Sequence, residues 1–189
     1  AGTVGVAPGR GGPCAVGLVD RGAPGGFPRR RRAAPPGLRG IGARLVIAGG
    51  GAVRFEIEAD VASEGLADVV RFVGPLPDNR IPGFLADADI GLHLTELRED
   101  IGGGRVPEML AAYLPVIAEP KGCLPELIAP GRNGFLATGE REIADRLGEL
   151  VSSPALRHRM GLASRRMAQR YDIRFFGSSL RRLVGGLVR

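Results

Sequence analysis

The sequence predicts a doubly wound α/β domain, a parallel β-sheet with helices on both faces, finished by C-terminal helices. Three observations predict it. Short apolar runs recur from Leu45 onward and alternate with segments of helical period. The runs are apolar at successive positions rather than at every second one, as in parallel strands covered on both faces. Two strand-to-helix joints are rich in glycine, and in open sheets of this class ligands sit beyond the carboxyl ends of the strands.

The elements follow in order. CAVGLV, over 14–19, is a short apolar run suited to a buried strand. The stretch after it has neither helical nor strand period and is broken by Pro24, Pro28, Pro35 and Pro36. RLVIAGGG reads as a buried strand ending in glycines, and AVRFEIEADVASEG as a helix closed by Gly65. VVRFVG is a strand, IPGFLADA a short helix, DIGLHL a strand, RVPEMLAAY a helix and LPVIA a strand. LPELIA makes a helical turn and GFLAT a strand. EREIADRLGELV is helical, and Ser153 with Pro154 supplies the N-cap and first-turn proline of a helix running to about Arg170. FFGSSLRRLVGGLV ends the chain as a helix, and no internal repeat is present.

Charge and composition divide the chain. Its 189 residues carry 26 Lys or Arg and 20 Asp or Glu, a formal charge of +6 that taken alone suggests a polyanionic partner. Residues 1–44, however, hold eight Arg against one acid, Asp20, whereas from Leu45 onward 18 basic residues face 19 acidic ones. The expected organisation is a Gly/Pro/Arg-rich segment at 1–44, poorly ordered or aberrant, and a near-neutral domain at 45–189. A domain of that length buries roughly 68–70% of its unfolded surface. The Arg29 to Arg32 run has no aromatic platform apart from Phe27 and reads as solvated, so nucleic acid is not an expected partner. Peripheral membrane contact stays open.

Cys14 and Cys123 are too few and too far apart for a disulfide framework or a metal site, and two distant His residues do not change that. No apolar stretch approaches the ~20 residues of a membrane span, and the first residues lack the h-region of a signal peptide. The expected location is cytoplasmic, at most against the inner face of the membrane. Lys121 is the single Lys, which suggests GC-rich coding rather than selection for Arg chemistry. The chain starts without Met and is expected to be part of something longer.

Candidate chemistry gathers in two loops. One is Ala48 to Gly51, where Gly49, Gly50 and Gly51 form either a tight turn or a ligand contact. The richer loop, Arg98 to Glu108, presents Glu96 just before it, then Glu99 and Asp100, then Gly102, Gly103 and Gly104, and enters a helix bearing Arg105 and Glu108. Three consecutive side-chain-free residues before a helix expose backbone N–H groups to an anion, and phosphate is the natural guest. Arg105 can add charge to a diphosphate or be a surface residue. Glu108, an acceptor one turn on, suits ribose hydroxyls. A sugar nucleotide offers both groups. His93, Cys123 and Glu126 read as structural residues.

These segments, from about Leu45 to Val188, resemble the carboxyl-terminal, donor-binding domain of retaining glycosyltransferases with the GT-B, Rossmann-like fold, the group-one or family-four type. LVIAGGG looks like that family's strand followed by G-x-G, VVRFVGPLP like its V-x-F-x-G strand end, and FLADADIGLHL like its y-l-a-x-A-D segment. PEMLAAYLPVIAEPKGCLPELIAPGRNGFLA is similar to l-E-x-m-A-x-G-x-P-V-I-a, then G-G-x-P-E-x-I, then x-G-x-N-G-x-L.

The resemblance implies sugar transfer from a nucleoside-diphosphate sugar as donor substrate, with retention, no cofactor and no metal. It implies that Glu108 holds the ribose and that a carboxylate eight residues earlier touches the donor sugar. Asp100 stands there in place of Glu, and because the loop is about two residues longer than the family's, Glu99 is an equal candidate. Tyr113-Leu114 replaces a glycine before Pro115. The family's phosphate-binding Arg and Lys have no counterpart: Leu18 stands at the Arg position and no Lys follows. We therefore expect residues 20–43 to be a frameshifted or degraded stretch, and translation of the coding DNA in its other frames tests this. The implied acceptor-binding amino-terminal domain is not in this sequence, so weak donor binding and no turnover are expected of the chain alone. The alternatives are a sugar-nucleotide epimerase on the same architecture and an anion- or RNA-binding module working through the Arg-rich arm.

Overall fold

A computed structural model describes residues 14–19, 40, 42–50, 54–94, 105–172, 174, 177, 178, 181 and 182. Six strands form one parallel sheet: β1 (Cys14–Val19), β2 (Ala43–Ala48), β3 (Val70–Gly74), β4 (Ile90–His93), β5 (Val116–Ala118) and β6 (Gly134–Leu136). Their order across the sheet is β3-β2-β1-β4-β5-β6, so the order reverses between β1 and β4. Six helices connect or follow them: α1 (Arg54–Ser63), α2 (Ile81–Ala86), α3 (Val106–Ala111), α4 (Leu124–Leu127), α5 (Gly139–Ser152) and α6 (Pro154–Ala168).

The two-sided apolar strands do what their pattern requires. Leu45, Ile47, Ile90, Leu92 and Ile117 project to one face, where α1 contributes Ile57 and Val61 and α5 contributes Ile143, Leu147 and Leu150. Ala48, Val116 and Ala118 project to the other, covered by Ile81 and Leu85 of α2, Met109 and Leu110 of α3, and Leu124 and Leu127 of α4. Successive strand residues point to opposite faces, which is why a strand filled with apolar residues needs helices on both. Most of these core side chains are buried.

The expected strand at 14–19 is β1, and it pairs with β2 on one side and β4 on the other. The sheet thus extends across the division drawn at residue 45. Residues 1–13 and 20–39, which include the Arg29 to Arg32 run, lie outside the described residues.

Local signals mark the helix ends. Gly65, φ 66°, follows α1 in the left-handed conformation that glycine adopts without strain. Ser153 Oγ accepts from the Leu156 N–H at 3.2 Å, an N-cap worth about 1 kcal/mol. Of the expected terminal helix only residues 177, 178, 181 and 182 are described, and each is helical.

Tyr113 differs from expectation by its backbone, not its place. It sits in the turn after α3 with φ 62°, the position where the resembling family has glycine. Gly161 of α6 lies under it, and a Cβ at 161 would run into the Tyr113 carbonyl oxygen.

Candidate functional site

The crevice of an open parallel sheet opens beyond the strand ends where the strand order reverses. Here that is beyond β1 and β4. The last residue of β4 is the half-buried His93; Leu94 follows, and the described chain resumes at Arg105. Glu96, Glu99, Asp100, Gly102, Gly103 and Gly104 lie outside the described residues, as does Gly51.

Arg105 and Glu108 enter together on the far side of that loop. Arg105 is the N-cap residue of α3 and Glu108 lies in its first turn, a spacing that brings the two side chains onto one face. Arg105 Nη1 donates to both carboxylate oxygens of Glu108, at 2.7 Å and 3.0 Å. Its Nη2 donates to Asp78 Oδ1 at 2.7 Å. The guanidinium side chain is only 12% exposed, whereas Asp78 is 88% and Glu108 42% exposed. Its hydrogen bond to Asp78, opposed by burial and helped by Glu108, raises the Arg105 pKa above its ordinary value, so the group is a fixed positive charge. Arg105 Nε is buried and has no hydrogen-bond partner among the described residues.

Asp78 was not legible as a site residue. It lies in a 3₁₀ turn, Asp78–Arg80, that carries the chain from β3 to α2. Twenty-seven positions separate it from Arg105, and no motif links them. A fold in which the β3 and β4 exits share one edge is what brings them together.

Two further features stand at the same edge. Glu119, the residue after β5, is 1% exposed, and Lys121 Nζ lies 3.1 Å from its Oε2. A carboxylate directly after the apolar run PVIA was the available signal, since buried carboxylates are nearly always paired. The Gly49 N–H donates to the Gly74 carbonyl at 2.8 Å, so this glycine's donor extends the contact between β2 and β3. A Cβ at Gly50 would meet the Pro75 ring at 3.7 Å, an ordinary contact distance.

Two further residues singled out in the sequence lie at α4. Cys123 occupies the N-cap position of α4 and packs against the apolar cluster on its side of the sheet, and Glu126 is exposed in that helix. No group of three or more potential metal-ligating side chains occurs among the described residues, and no described helix is long and apolar enough to cross a membrane. Chemically, the edge offers one fixed cation held between two carboxylates that retain acceptor capacity, and a buried carboxylate paired with a partly exposed ammonium.

The model of one protein family, glycosyl transferases group 1, matches residues 33–167. The chain belongs to that family. Among curated relatives, this glycosyl transferase chain is 36% identical over 107 residues to a D-inositol 3-phosphate glycosyltransferase of Streptomyces avermitilis, a match covering 56% of the chain and 23% of the relative. Among solved structures, it superimposes on HepE from Anabaena, determined in complex with UDP, with a TM-score of 0.78 at 21% identity, covering 91% of this chain and 48% of that one. It also superimposes on the C-terminal domain of a group 1 family glycosyl transferase from Francisella tularensis, with a TM-score of 0.69 at 24% identity, covering 84% and 85%. The fold is therefore that of the C-terminal domain in GT-B glycosyltransferases. The chain spans about a quarter of the curated relative's length and about half of HepE. The family model and the relatives named as glycosyltransferases favour neither an epimerase nor an RNA-binding module.

Proposed function

We propose that this chain is the donor-binding half of a retaining glycosyltransferase, which takes a sugar from a nucleoside diphosphate and passes it to an acceptor held by an amino-terminal domain. The observation that carries the reading is the Arg105–Glu108–Asp78 cluster, standing at the edge where the strand order of a group 1 glycosyl transferase sheet reverses. The UDP bound by HepE, a protein of the same fold, supports a nucleoside diphosphate as the guest.

Each group has a part. Glu108 receives the ribose: both of its oxygens accept from Arg105, and each keeps a second lone pair for a hydroxyl. Arg105 fixes that carboxylate and faces the diphosphate. Its exposed contact to Asp78 is worth at most ~1 kcal/mol, less than a charge-assisted bond to a phosphate oxygen, so donor binding exchanges Asp78 for the diphosphate at Nη2. Gly102, Gly103 and Gly104 contribute backbone N–H groups, and Gly49 and Gly51 the facing turn. Glu99 or Asp100 faces the donor sugar.

In the reaction, the bond from the anomeric carbon to the diphosphate oxygen breaks, and the electron pair leaves with the diphosphate. The acceptor oxygen bonds to the same face of that carbon and gives its proton to the departing diphosphate oxygen. Arg105, already charged and held, stabilises the departing negative charge without reorganising. Turnover needs the acceptor half, so the chain alone binds donor weakly and does not transfer sugar.

Calorimetric titration of the chain with UDP, GDP and ADP tests the reading. At least one nucleotide binds, and Glu108→Gln weakens that binding about tenfold, or about 1.4 kcal/mol. Asp78→Asn leaves it unchanged or tighter. Failure of all three nucleotides at millimolar concentration, or equal binding by Glu108→Gln, overturns the reading.

A further inference from the structure

On the edge of the sheet opposite the proposed donor site, where the strands begin, a cavity of about 260 Å³ lies between the turn before β6 and the last turns of α6. Arg132 enters it from the turn, and Arg166 and Arg170 from the helical side. No acidic residue lines it. None of the three guanidiniums makes an ion pair among the described residues, whereas Arg54, Arg105, Arg146 and Arg174 all do.

The turn is built rather than loose. Asn133 is 2% exposed; its Oδ1 accepts from the Ala129 N–H at 2.7 Å and its Nδ2 donates to the Leu127 carbonyl at 2.9 Å. Its own carbonyl accepts from Ser164 Oγ of α6 at 3.1 Å and from the Val116 N–H of β5 at 3.2 Å. Gly131, φ 76°, supplies the left-handed residue that lets the turn close just before Arg132. One buried asparagine thus fastens the backbone carrying Arg132 to the helix carrying Arg166.

The three arginines are exposed at the mouth of the cavity, so their mutual repulsion is small and an anion is what would draw them together. Arg166 and Arg170 stand four positions apart, a like-charge spacing that costs a helix a few tenths of a kcal/mol. Favourable placement near a helix C-terminus accounts for these two. It does not account for Arg132, which reaches the same cavity from another element.

We infer that this cavity is a second anion site, taking a compact, multiply charged phosphate group and distinct from the donor site. Its volume falls below the ≈300–1,000 Å³ usual for small-molecule pockets, which suits a phosphate or diphosphate and not a whole sugar nucleotide. Arginine's planar fork matches phosphate oxygens bidentately, and three such forks with no competing carboxylate in the lining favour a dianion over a carboxylate ligand. The phosphate can be free or be the headgroup of an acidic lipid.

The test is titration of the full chain with pyrophosphate, followed by calorimetry, in the wild type, the triple variant Arg132→Gln/Arg166→Gln/Arg170→Gln, and a charge-matched control, Arg71→Gln/Arg141→Gln/Arg159→Gln, whose sites are exposed elsewhere. Pyrophosphate affinity falls at least tenfold in the triple variant and less than threefold in the control. It also survives in Arg105→Gln, which separates this site from the donor site. Co-sedimentation with phosphatidylcholine vesicles, with and without phosphatidic acid, distinguishes the sources: a lipid headgroup gives phosphatidic-acid-dependent pelleting that the triple variant loses, and a free phosphate gives none. Equal pyrophosphate binding by wild type and triple variant, or an equal loss in the control, overturns the proposal.

Discussion

Tyr113 is the one non-glycine residue with positive φ among the described residues, and its neighbours show why it stays there. Its carbonyl presses on Gly161, and its ring lies 5.6 Å from the Arg165 guanidinium, which also donates to the Ala111 carbonyl at 3.2 Å. The left-handed conformation costs a tyrosine roughly 1–2 kcal/mol, and a half-exposed cation–π contact returns about 0.5–1. Tyr113→Gly should therefore raise stability by up to ~1 kcal/mol in urea unfolding, and a loss greater than that would show that the ring contributes more than its exposure suggests. The replacement of a glycine was visible in the sequence; the strain was not, because φ is set by the geometry between α3 and β5. Arg105 shows the same limit. Its residue type and position suggested a phosphate ligand, but its bonds to Glu108 and Asp78 depend on an approach between loops that no local pattern encodes.

At the scale of elements, long periodic segments were readable and short ones were readable only through their punctuation. α5 repeats Ile143, Leu147 and Leu150 on one stripe, and α6 begins where Ser153 and Pro154 place it. By contrast, the 3₁₀ turn at Asp78–Arg80 has too few residues for any period to show, although it carries a partner of Arg105. The turn before β6 is specified by Asn133, whose side chain satisfies one backbone donor and one backbone acceptor from inside the fold. Asn133→Ala orphans both and should cost about 2–4 kcal/mol, at roughly 1–3 for each buried group less partial relaxation. Chemical denaturation measures it, and a loss under 1 kcal/mol would mean that the turn is held by its backbone alone. β1 is the instructive case. CAVGLV was legible as a strand, yet the composition around it pointed to a separate segment, because averages over 44 residues hide a six-residue strand that pairs on both sides.

Across the whole molecule, alternating apolar runs and helical periods were enough for the doubly wound class, and the glycine-rich joints were enough to say which edge to search. What composition suggested about partners was weaker. The net charge of +6 pointed to a polyanion, while in the fold Arg54, Arg105, Arg146 and Arg174 are paired with carboxylates and Arg132, Arg166 and Arg170 gather at the edge opposite Arg105. The central claim is that a nucleoside diphosphate sits beyond the carboxyl ends of β1 and β4, against Arg105 and Glu108. Amide chemical-shift mapping of the ¹⁵N-labelled chain with UDP at millimolar concentration tests it most directly. The account predicts that the largest shifts fall at residues 49–50, 74–78, 93–94 and 105–109, with smaller ones at 119–122. Shifts confined to residues 129–134 and the end of α6, or no shifts at all, would contradict it.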